Sequence, residues 1–460
     1  MTLRLHPQQW AAHTFGQAQL GDKRRTRRLV TLAGSLAARK GKSIVKSSQN
    51  IAEVEGAYRL LRNDAVDISH IAEAGFQAAL SDSQASKTLL ALEDTTSLNY
   101  SHDSVKDELG HITSSKNRKG LLAHSILLFD PENQQLFGLA EQQIWTRDTA
   151  TFGKKHQQAS TPYPEKESFK WQQASMNLAA RAGDQMANII SVCDREADIY
   201  DYLAYKVANQ QRFVVRCRQN RRLKVADKKL FEVLEGSLPA THRTINLPQK
   251  GGRAARNVRL AVRFAPVTIS APGRATGDDL PLYYVSCSSD TDSKLNWHLL
   301  TTEPVTDDQS ALNIIQYYEH RWLVEDFHKA WKSGGTLVEN SRMQSLDNLL
   351  RVITILAFIA ARILQLRGLV LLHGGKTGIS CETVMSRVEW KLLWLKRMNK
   401  KPPKTAPDLQ WAYLNIAGLG GWYDSKRTGR AGWEVLWEGW YLLQELLSGY
   451  RLAKELDDEM

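Results

Sequence analysis

The sequence of 460 residues predicts an α/β fold, in which a domain of strands and helices is interrupted by a β-rich insertion and flanked by helical regions at both ends. Short apolar runs bounded by turn residues, a pattern typical of buried strands, recur between residues 87 and 215. A second set of strand-like segments occupies residues 240–302, and a long helical pattern follows it. This order of strands, insertion and helix indicates one interrupted α/β domain.

The N-terminal region predicts short helices and turns that carry a dense run of basic residues. Helical spacing places Arg24, Arg27 and Arg28 on one face, since positions three and four apart are neighbours on a helix. A solvated helix face would show the same pattern, so the run alone does not establish a nucleic-acid contact. The basic residues that extend this set are Arg25, Lys42, Arg59 and Arg62.

Two of the predicted strands end in an aspartate. The apolar run Leu89–Leu92 leads into Asp94, and the run Ile189–Cys193 leads into Asp194. A carboxylate at the end of a buried strand is held rigidly at a sheet edge. The other predicted strands of this region are residues 121–129, 135–145 and 213–215, the last of which is followed by a basic cluster that begins at Arg216.

Behind the β-rich insertion, a helix is predicted from Asp307 or Asp308, which are suitable N-caps, to about Lys332. On this helix one face carries a carboxylate between an aromatic and two cationic residues, and the opposite face is apolar. An ordinary amphipathic helix would look similar. The residues of the polar face are Tyr318, Arg321, Glu325 and Lys332.

The C-terminal part predicts helices. Residues 349–372 read as a buried helix and not as a membrane span, because three arginines interrupt the apolar run. After a Lys/Pro-rich linker at residues 396–407, an apolar stripe with helical spacing indicates either a core helix or a helix offered to a second subunit. The stripe consists of Trp433, Leu436, Trp437, Trp440, Leu443 and Leu447.

Charge and cysteine content narrow the function classes. Lys and Arg number 61 against 49 for Asp and Glu, so the formal net charge is +12. Such an excess favours a polyanionic partner, although a basic enzyme of another kind would fit as well. The four cysteines form no CxxC pair, which argues against a zinc cluster and indicates a reducing compartment. No signal peptide is visible, so we expect a cytoplasmic protein with access to DNA.

The two strand-end aspartates and a helix carboxylate together suggest a metal site. Mg²⁺ prefers oxygen ligands and keeps water and phosphate oxygens in its shell. Two such ions can activate a nucleophile and steady the leaving oxygen of an in-line phosphoryl transfer. Spacing in the sequence leaves open whether Asp94, Asp194 and Glu325 meet in space.

Several motifs resemble the bacterial cut-and-paste transposases of the Asp-Asp-Glu class, closest to the group of transposon five. The stretches that carry the resemblance are Glu93-Asp-Thr-Thr-Ser-Leu98, Val192-Cys-Asp-Arg-Glu-Ala-Asp-Ile199, the Tyr-Arg-Glu-Lys signature Tyr318-x₂-Arg321-x₃-Glu325-x₆-Lys332, Leu20-Gly-Asp22, Gly56-Ala-Tyr-Arg59, Leu409-Gln-Trp-Ala-Tyr413 and Asp424-Ser-Lys-Arg-Thr-Gly429. The resemblance spans nearly the whole chain.

This resemblance implies a ribonuclease-H-like catalytic core in which Asp94, Asp194 and Glu325 are the catalytic metal ligands, with two Mg²⁺ ions, or Mn²⁺, as cofactor. The sequence separation of 131 between Asp194 and Glu325 is too long for a bare core of this kind, and the insertion at about 225–302 accounts for it. The residues expected to contact DNA are Arg24, Arg25, Arg27, Arg28, Lys42, Arg59, Arg62, Arg216, Trp297, Tyr318, Arg321, His328, Lys329 and Lys332. Among them, Trp297 stands where the family places an aromatic that stacks on a flipped base.

The resemblance also implies domains, partners and a reaction. Residues 1–69 are expected to form a helical DNA-binding domain, residues 70–370 the catalytic domain, and residues 371–460 a helical dimerisation domain. The expected partners are transposon-end DNA, target DNA and a second copy of the chain, in a bacterial protein that is nucleoid-associated when bound to DNA. The expected reaction is nicking, hairpin formation, hairpin opening and joining of the 3′ ends to a target. Two alternatives are a stand-alone nuclease with the same core and a catalytically idle, transposase-derived repressor.

Overall fold

The structure is a computed structural model of the chain. It describes residues 6–39, 41–113, 118–152, 161–224, 228–247, 256–273, 277–289, 295–373, 378, 380–383, 385–425 and 431–459. The matching stretch at the C-terminal side, Asp424-Ser-Lys-Arg-Thr-Gly429, therefore lies largely outside the described residues.

Helices occupy both ends of the chain and cover the sheet in between. They are α1 (Pro7–Phe15), α2 (Lys23–Ala38), α3 (Ile44–Ser47), α4 (Ile51–Leu61), α5 (Ile68–Asp82), α6 (Lys170–Ala182), α7 (Tyr200–Ala208), α8 (Asp308–His320), α9 (Trp322–Lys329), α10 (Leu346–His373), α11 (Arg387–Met398), α12 (Leu409–Leu419) and α13 (Trp433–Glu459). Asp22 caps α2 by accepting from the Arg24 N–H, and Asp307 forms a capping box with Ser310 at α8.

The strands of the described residues form one mixed sheet. They are β1 (Leu89–Asn99), β2 (Gly110–His111), β3 (Lys119–Asp130), β4 (Gln135–Trp145), β5 (Ile189–Cys193), β6 (Arg212–Arg216), β7 (Thr241–Leu247), β8 (Arg256–Ile269), β9 (Leu280–Ser288) and β10 (Asn296–Thr301). Their order is β2-β3-β1-β5-β6-β10-β9-β8-β7, with β4 paired to β3. Strands β1, β5 and β6 are parallel and form the centre, where both faces are buried.

The predicted β-rich insertion extends the central sheet. Its four strands are joined to the core because β10 pairs antiparallel with β6, and β9, β8 and β7 follow in turn. An ion pair between Arg243 on β7 and Glu319 on α8, at 2.8 Å, ties the outer strand to the helix of the signature motif. The α/β fold with its insertion and helical ends is therefore confirmed.

Two local expectations were wrong. Strand β1 does not end at Asp94 but continues to Asn99, because β3 accompanies it as far as the pair of Asn99 and Gly120. The predicted helix to Lys332 is divided at Arg321, whose N–H bonds to the Tyr318 carbonyl three residues back, and it closes in a π-helical turn at Ala330–Gly334. Asp94 nevertheless marks an edge, since the pairing of β1 with β5 ends near it.

The N-terminal helices share a hydrophobic core with α10. The ring of Phe15 meets Phe358 edge-on at 5.4 Å between centroids. The buried guanidinium of Arg351 donates to the carbonyls of Leu61 and Val66. These helices are thus packed on the rest of the chain.

The tryptophan-rich stripe of α13 packs inside the protein. Leu436, Trp437, Leu443 and Leu447 are buried, and Trp440 is half-buried against α12 and the core. The structure therefore favours the core-helix interpretation of this stripe. The start of the predicted linker, residues 396–398, belongs to α11. Among the described residues, no helix is both long and apolar enough to cross a membrane.

Candidate active site

Three charged residues stand in one row across the parallel centre of the sheet. Leu92 on β1 pairs with Val192 on β5, so continuing the register places Asp94 beside Asp194. Cys193 pairs with Val215 on β6, so the next position places Asp194 beside Arg216. Neighbouring strands are about 4.8 Å apart and residues in register point to the same face. The two aspartates are therefore neighbours, although one hundred positions separate them in the sequence.

The third carboxylate, Glu325, is linked to this row by the side chain of Arg321. Arg321 donates from Nη1 to Asp94 Oδ2 at 3.1 Å and from Nη2 to Glu325 Oε1 at 2.8 Å. Its side chain is only 9% exposed, so the guanidinium is held between the two carboxylates. The structure thus brings together Asp94, Glu325 and Arg321, in agreement with the predicted polar face of the helix.

Each aspartate is oriented by a backbone N–H. Asp94 Oδ1 accepts from the N–H of Thr95 at 2.8 Å. Asp194 Oδ1 accepts from the N–H of Glu196 at 2.8 Å and so caps the short 3₁₀ turn Arg195–Ala197. The other oxygen of Asp94, Oδ2, is the one that accepts from Arg321.

Burial raises the pKa of Asp94 to about 6, from its ordinary value of 3.8. Arg321 and the Thr95 N–H oppose the rise, whereas the negative charges of Asp194 and Glu325 add to it. A carboxylate that is buried beside two others binds a proton or another cation readily.

The donor set fits a divalent cation. Carboxylate oxygens are the ligands that Mg²⁺ and similar ions prefer, and a cationic guanidinium already lies between two of these carboxylates. Within the described residues, no three His, Cys, Asp or Glu side chains stand close enough together to hold one ion. Arg321 lies between Asp94 and Glu325 in this structure.

The other predicted residues of this region surround the carboxylates. Tyr318 is buried, and its ring meets that of the half-buried Trp297 edge-on, at 5.6 Å between centroids. Lys332 Nζ donates to the Ser97 carbonyl at 2.6 Å. Arg216 donates to the Asn296 carbonyl at 3.1 Å. Lys332 and Arg216 thus each have a backbone carbonyl partner that a phosphate would have to replace.

His328 and Lys329 differ from one another. Burial lowers the pKa of His328 to about 3, so its imidazole is neutral. The side chain is also buried on the inner side of α9, and both features disfavour a direct phosphate contact. Lys329 is exposed and lies 3.6 Å from Asp326 on the same helix.

The basic residues of the N-terminal helices divide into exposed and structural ones. Arg25 donates to the carbonyls of Leu20 and Ala65 and thereby joins α2 to the turn after α4. Arg24 is exposed but paired with Asp22. The remaining predicted contacts are exposed: Arg27, Arg28, Lys42, Arg59 and Arg62.

Sequence reasoning missed two groups that support the site. Asp198, in the motif that follows Asp194, forms a buried ion pair with Arg221 at 2.6 Å and accepts two backbone N–H groups of the loop after β6. This pair holds the loop that follows Arg216. On the opposite face of the sheet, Thr95 bonds to His124 on β3. Thr95 lies inside a quoted motif, whereas nothing in the sequence singled out His124.

Comparison with known families agrees with this geometry. Residues 7–66 match the family described as "Transposase DNA-binding", and residues 42–362 match the family described as "Transposase DDE domain". The second match covers well over half of the chain and includes Asp94, Asp194 and Glu325.

Among solved structures, the chain is similar to a piggyBac transposase in a synaptic complex with hairpin DNA. The sequence identity is 10%, the TM-score is 0.42, and the match covers 78% of this chain and 75% of that one. Similarity at this level is too weak to carry details of the fold or function from one protein to the other.

The family matches establish the family to which the arrangement of the three carboxylates points. DDE transposase domains generally use divalent metal ions to cleave and join DNA, and a DNA-binding region precedes that domain here. The chain belongs to the DDE transposase family.

Proposed function

We propose that the chain is a bacterial cut-and-paste transposase of the group of transposon five, which excises an element through hairpin intermediates and joins its 3′ ends to target DNA. The observation that carries the proposal is the arrangement of Asp94 and Asp194 side by side on parallel strands, with Glu325 linked to Asp94 by Arg321. Every step of this reaction is an in-line attack on a phosphodiester, so one such site suffices for all of them.

Asp94, Asp194 and Glu325 are the residues that would hold the cofactor. Two divalent ions, Mg²⁺ or alternatively Mn²⁺, would supply activation of the attacking oxygen and stabilisation of the leaving oxygen. The rigid strands β1 and β5 fix two of these carboxylates, and α9 supplies the third.

Around them, cationic side chains would bind the scissile strand. Arg321 would exchange a carboxylate for a phosphate, because a guanidinium binds either of them in a bidentate manner. Lys332 and Arg216 would exchange their backbone partners, Ser97 and Asn296, for phosphates. Lys329 is the exposed cation that follows Arg321 and Glu325 on α9, so it would contact DNA further from the cut.

Trp297 would support the hairpin. A hairpin requires a tight bend, which is easier when one base leaves the stack and rests on an aromatic ring. The edge-on contact with Tyr318 fixes the plane of Trp297 beside the signature helix.

The helical regions at both ends would bind DNA and a partner. Residues 1–69 carry the exposed Arg27 and Arg28 on α2 and would recognise the transposon end. Residues 371–460 would dimerise, and each subunit would cleave the end bound by the other. We infer a cytoplasmic enzyme that associates with the nucleoid through DNA.

One experiment separates this proposal from its rivals. Duplex DNA from the inverted repeats that flank the gene is incubated with the full-length chain and Mg²⁺. Hairpin and joined products support a transposase, nicks alone indicate a stand-alone nuclease, and binding without cleavage indicates a repressor. Asp94→Ala in the same reaction controls for contaminating nuclease.

A further inference from the structure

A half-buried hydroxyl, a buried imidazole and a buried carboxylate lie next to one another on the face of the sheet opposite Asp94. Thr95 on β1 and His124 on β3 are a cross-strand pair, and Thr95 Oγ1 is 3.0 Å from His124 Nδ1. His124 Nε2 is 3.5 Å from Glu93 Oε2. The side chains of His124 and Glu93 are fully buried. Strand alternation directs Glu93 and Thr95 to this face and Asp94, between them, to the other.

The partners of His124 determine its tautomer. His124 Nε2 faces the Glu93 carboxylate at 3.5 Å, which is a contact and not a hydrogen bond, and an imidazole N–H on Nε2 suits a carboxylate neighbour. Nδ1 is then an acceptor, and the hydroxyl of Thr95 donates to it. The hydrogen bond between the two strands therefore has a fixed direction.

The imidazole has little freedom to turn. The ring of Trp171, which is fully buried on α6, meets His124 edge-on at 4.5 Å between centroids. A residue packed in this way holds its hydrogen-bond partner in one rotamer.

We propose that His124 is a positioning residue for Asp94, acting through Thr95. The N–H of Thr95 donates to Asp94 Oδ1 at 2.8 Å, at the point where β5 no longer accompanies β1. Fixing the Thr95 side chain on one face fixes the direction of its N–H, and with it the carboxylate on the other face. The inference rests on the proposed catalytic role of Asp94.

The first test removes only the hydroxyl. Thr95→Val keeps the shape and the backbone N–H, whereas Thr95→Ser keeps the hydroxyl. We expect Thr95→Val to lower kcat for nicking about tenfold with an unchanged KM for end DNA, and to weaken Mn²⁺ binding about threefold to tenfold in titrations without DNA. Thr95→Ser should restore most of both, to within about threefold of the wild type.

The second test uses two amides at position 124. The amide of His124→Asn lies near the place of Nδ1 and can still accept from Thr95, whereas the longer His124→Gln reaches the place of Nε2 and keeps only the contact with Glu93. We expect His124→Gln to behave like Thr95→Val and His124→Asn to stay closer to the wild type. A merely structural role would instead lower the melting temperature of both variants alike and leave Mn²⁺ affinity unchanged.

Asp94→Asn in the same assays separates the two proposals. If Asp94→Asn cleaves as well as the wild type, Asp94 is not catalytic and both proposals are overturned. If Asp94→Asn is inactive while Thr95→Val matches the wild type in kcat and Mn²⁺ affinity, the catalytic role of Asp94 stands and only the role of His124 is overturned.

Discussion

At the scale of single residues, the three carboxylates differ in how the protein holds them. Asp94 is buried and bonded to Arg321 and Thr95, Asp194 caps a short turn, and Glu325 is about a third exposed on α9. The register places Asp194 beside Asp94, and Arg321 links Glu325 to Asp94. This geometry makes each of them separately testable.

We predict that Asp94→Ala, Asp194→Ala and Glu325→Ala each abolish cleavage of end DNA, because each removes an oxygen donor that no neighbour replaces. Binding of end DNA should persist, since it depends on the N-terminal helices. Cleavage and gel-shift assays on one substrate measure both properties. Glu196→Gln, an exposed carboxylate two residues after Asp194, is the matched control. If one of these variants cleaves at the wild-type rate, the residue replaced in it is not a metal ligand.

The raised pKa of Asp94 predicts a pH-dependent cost to stability. The group binds its proton more tightly in the folded than in the unfolded chain, so its contribution to stability is complete below the unfolded pKa of 3.8 and is lost as pH rises through about 6. With EDTA present at about pH 7.5, Asp94→Asn should therefore stabilise the fold by up to roughly 3 kcal/mol, and by less at about pH 5.

Urea unfolding of Asp94→Asn and wild type at the two pH values measures this difference. Asp103→Asn, which alters a carboxylate that is 96% exposed, should show none of it. A gain in stability that is the same at both pH values would mean that the proton affinity of Asp94 is ordinary.

Trp297 offers a test of hairpin formation. Trp297→Ala should spare end binding and the first nick, which need no flipped base, and slow hairpin formation about tenfold to a hundredfold. Trp297→Phe should recover part of the rate because a ring remains. Both steps are timed on one end substrate, alongside a melting curve. Equal loss of both steps, with a lower melting temperature, would instead assign Trp297 to packing on Tyr318.

At the scale of elements, α2 is the helix whose exposed arginines can be tested separately from its folding. Arg27→Ala and Arg28→Ala should weaken end binding and each reduce the slope of log K against log salt by about 1, as the loss of a phosphate contact does. Arg25→Ala should instead lower thermal stability, because this side chain bonds to the carbonyls of Leu20 and Ala65. An unchanged salt slope in both exposed variants would locate the phosphate contacts elsewhere.

The elements also show how far sequence patterns reach. Buried strands and the basic α2 were predictable because their signals are local: apolar runs, turn residues and helical spacing. The continuation of β1 past Asp94 was not, because it depends on pairing with β3, which begins only at Lys119. Arg321 links residues that are more than two hundred positions apart, and His124 lies in no recognisable motif. Neither feature could therefore be predicted from the sequence.

At the scale of the whole molecule, the far end of α13 leaves apolar side chains exposed. Tyr450, Leu452 and Leu456 are exposed, whereas Leu443 and Leu447 on the preceding turns are buried. If the proposed dimer uses this end, Leu452→Glu and Leu456→Glu together should leave a monomer on end DNA, which light scattering after gel filtration measures. Leu395→Glu, at another exposed leucine, on α11, is the control and should still assemble. A dimer that survives the double change would use another surface.

The continuity of the sheet has a further consequence for how such an enzyme can evolve. Because β10 is joined to β1 through β6 and β5, Trp297 stands three strand steps, or about 14 Å, from the strand of Asp94. That interval is set by backbone hydrogen bonds and not by loops, so the sheet fixes the spacing between the strands of Asp94 and Trp297. Lengthening or shortening the loop between β7 and β8 should leave this spacing unchanged. Related chains that vary the outer insertion should therefore keep the same spacing between these two residues.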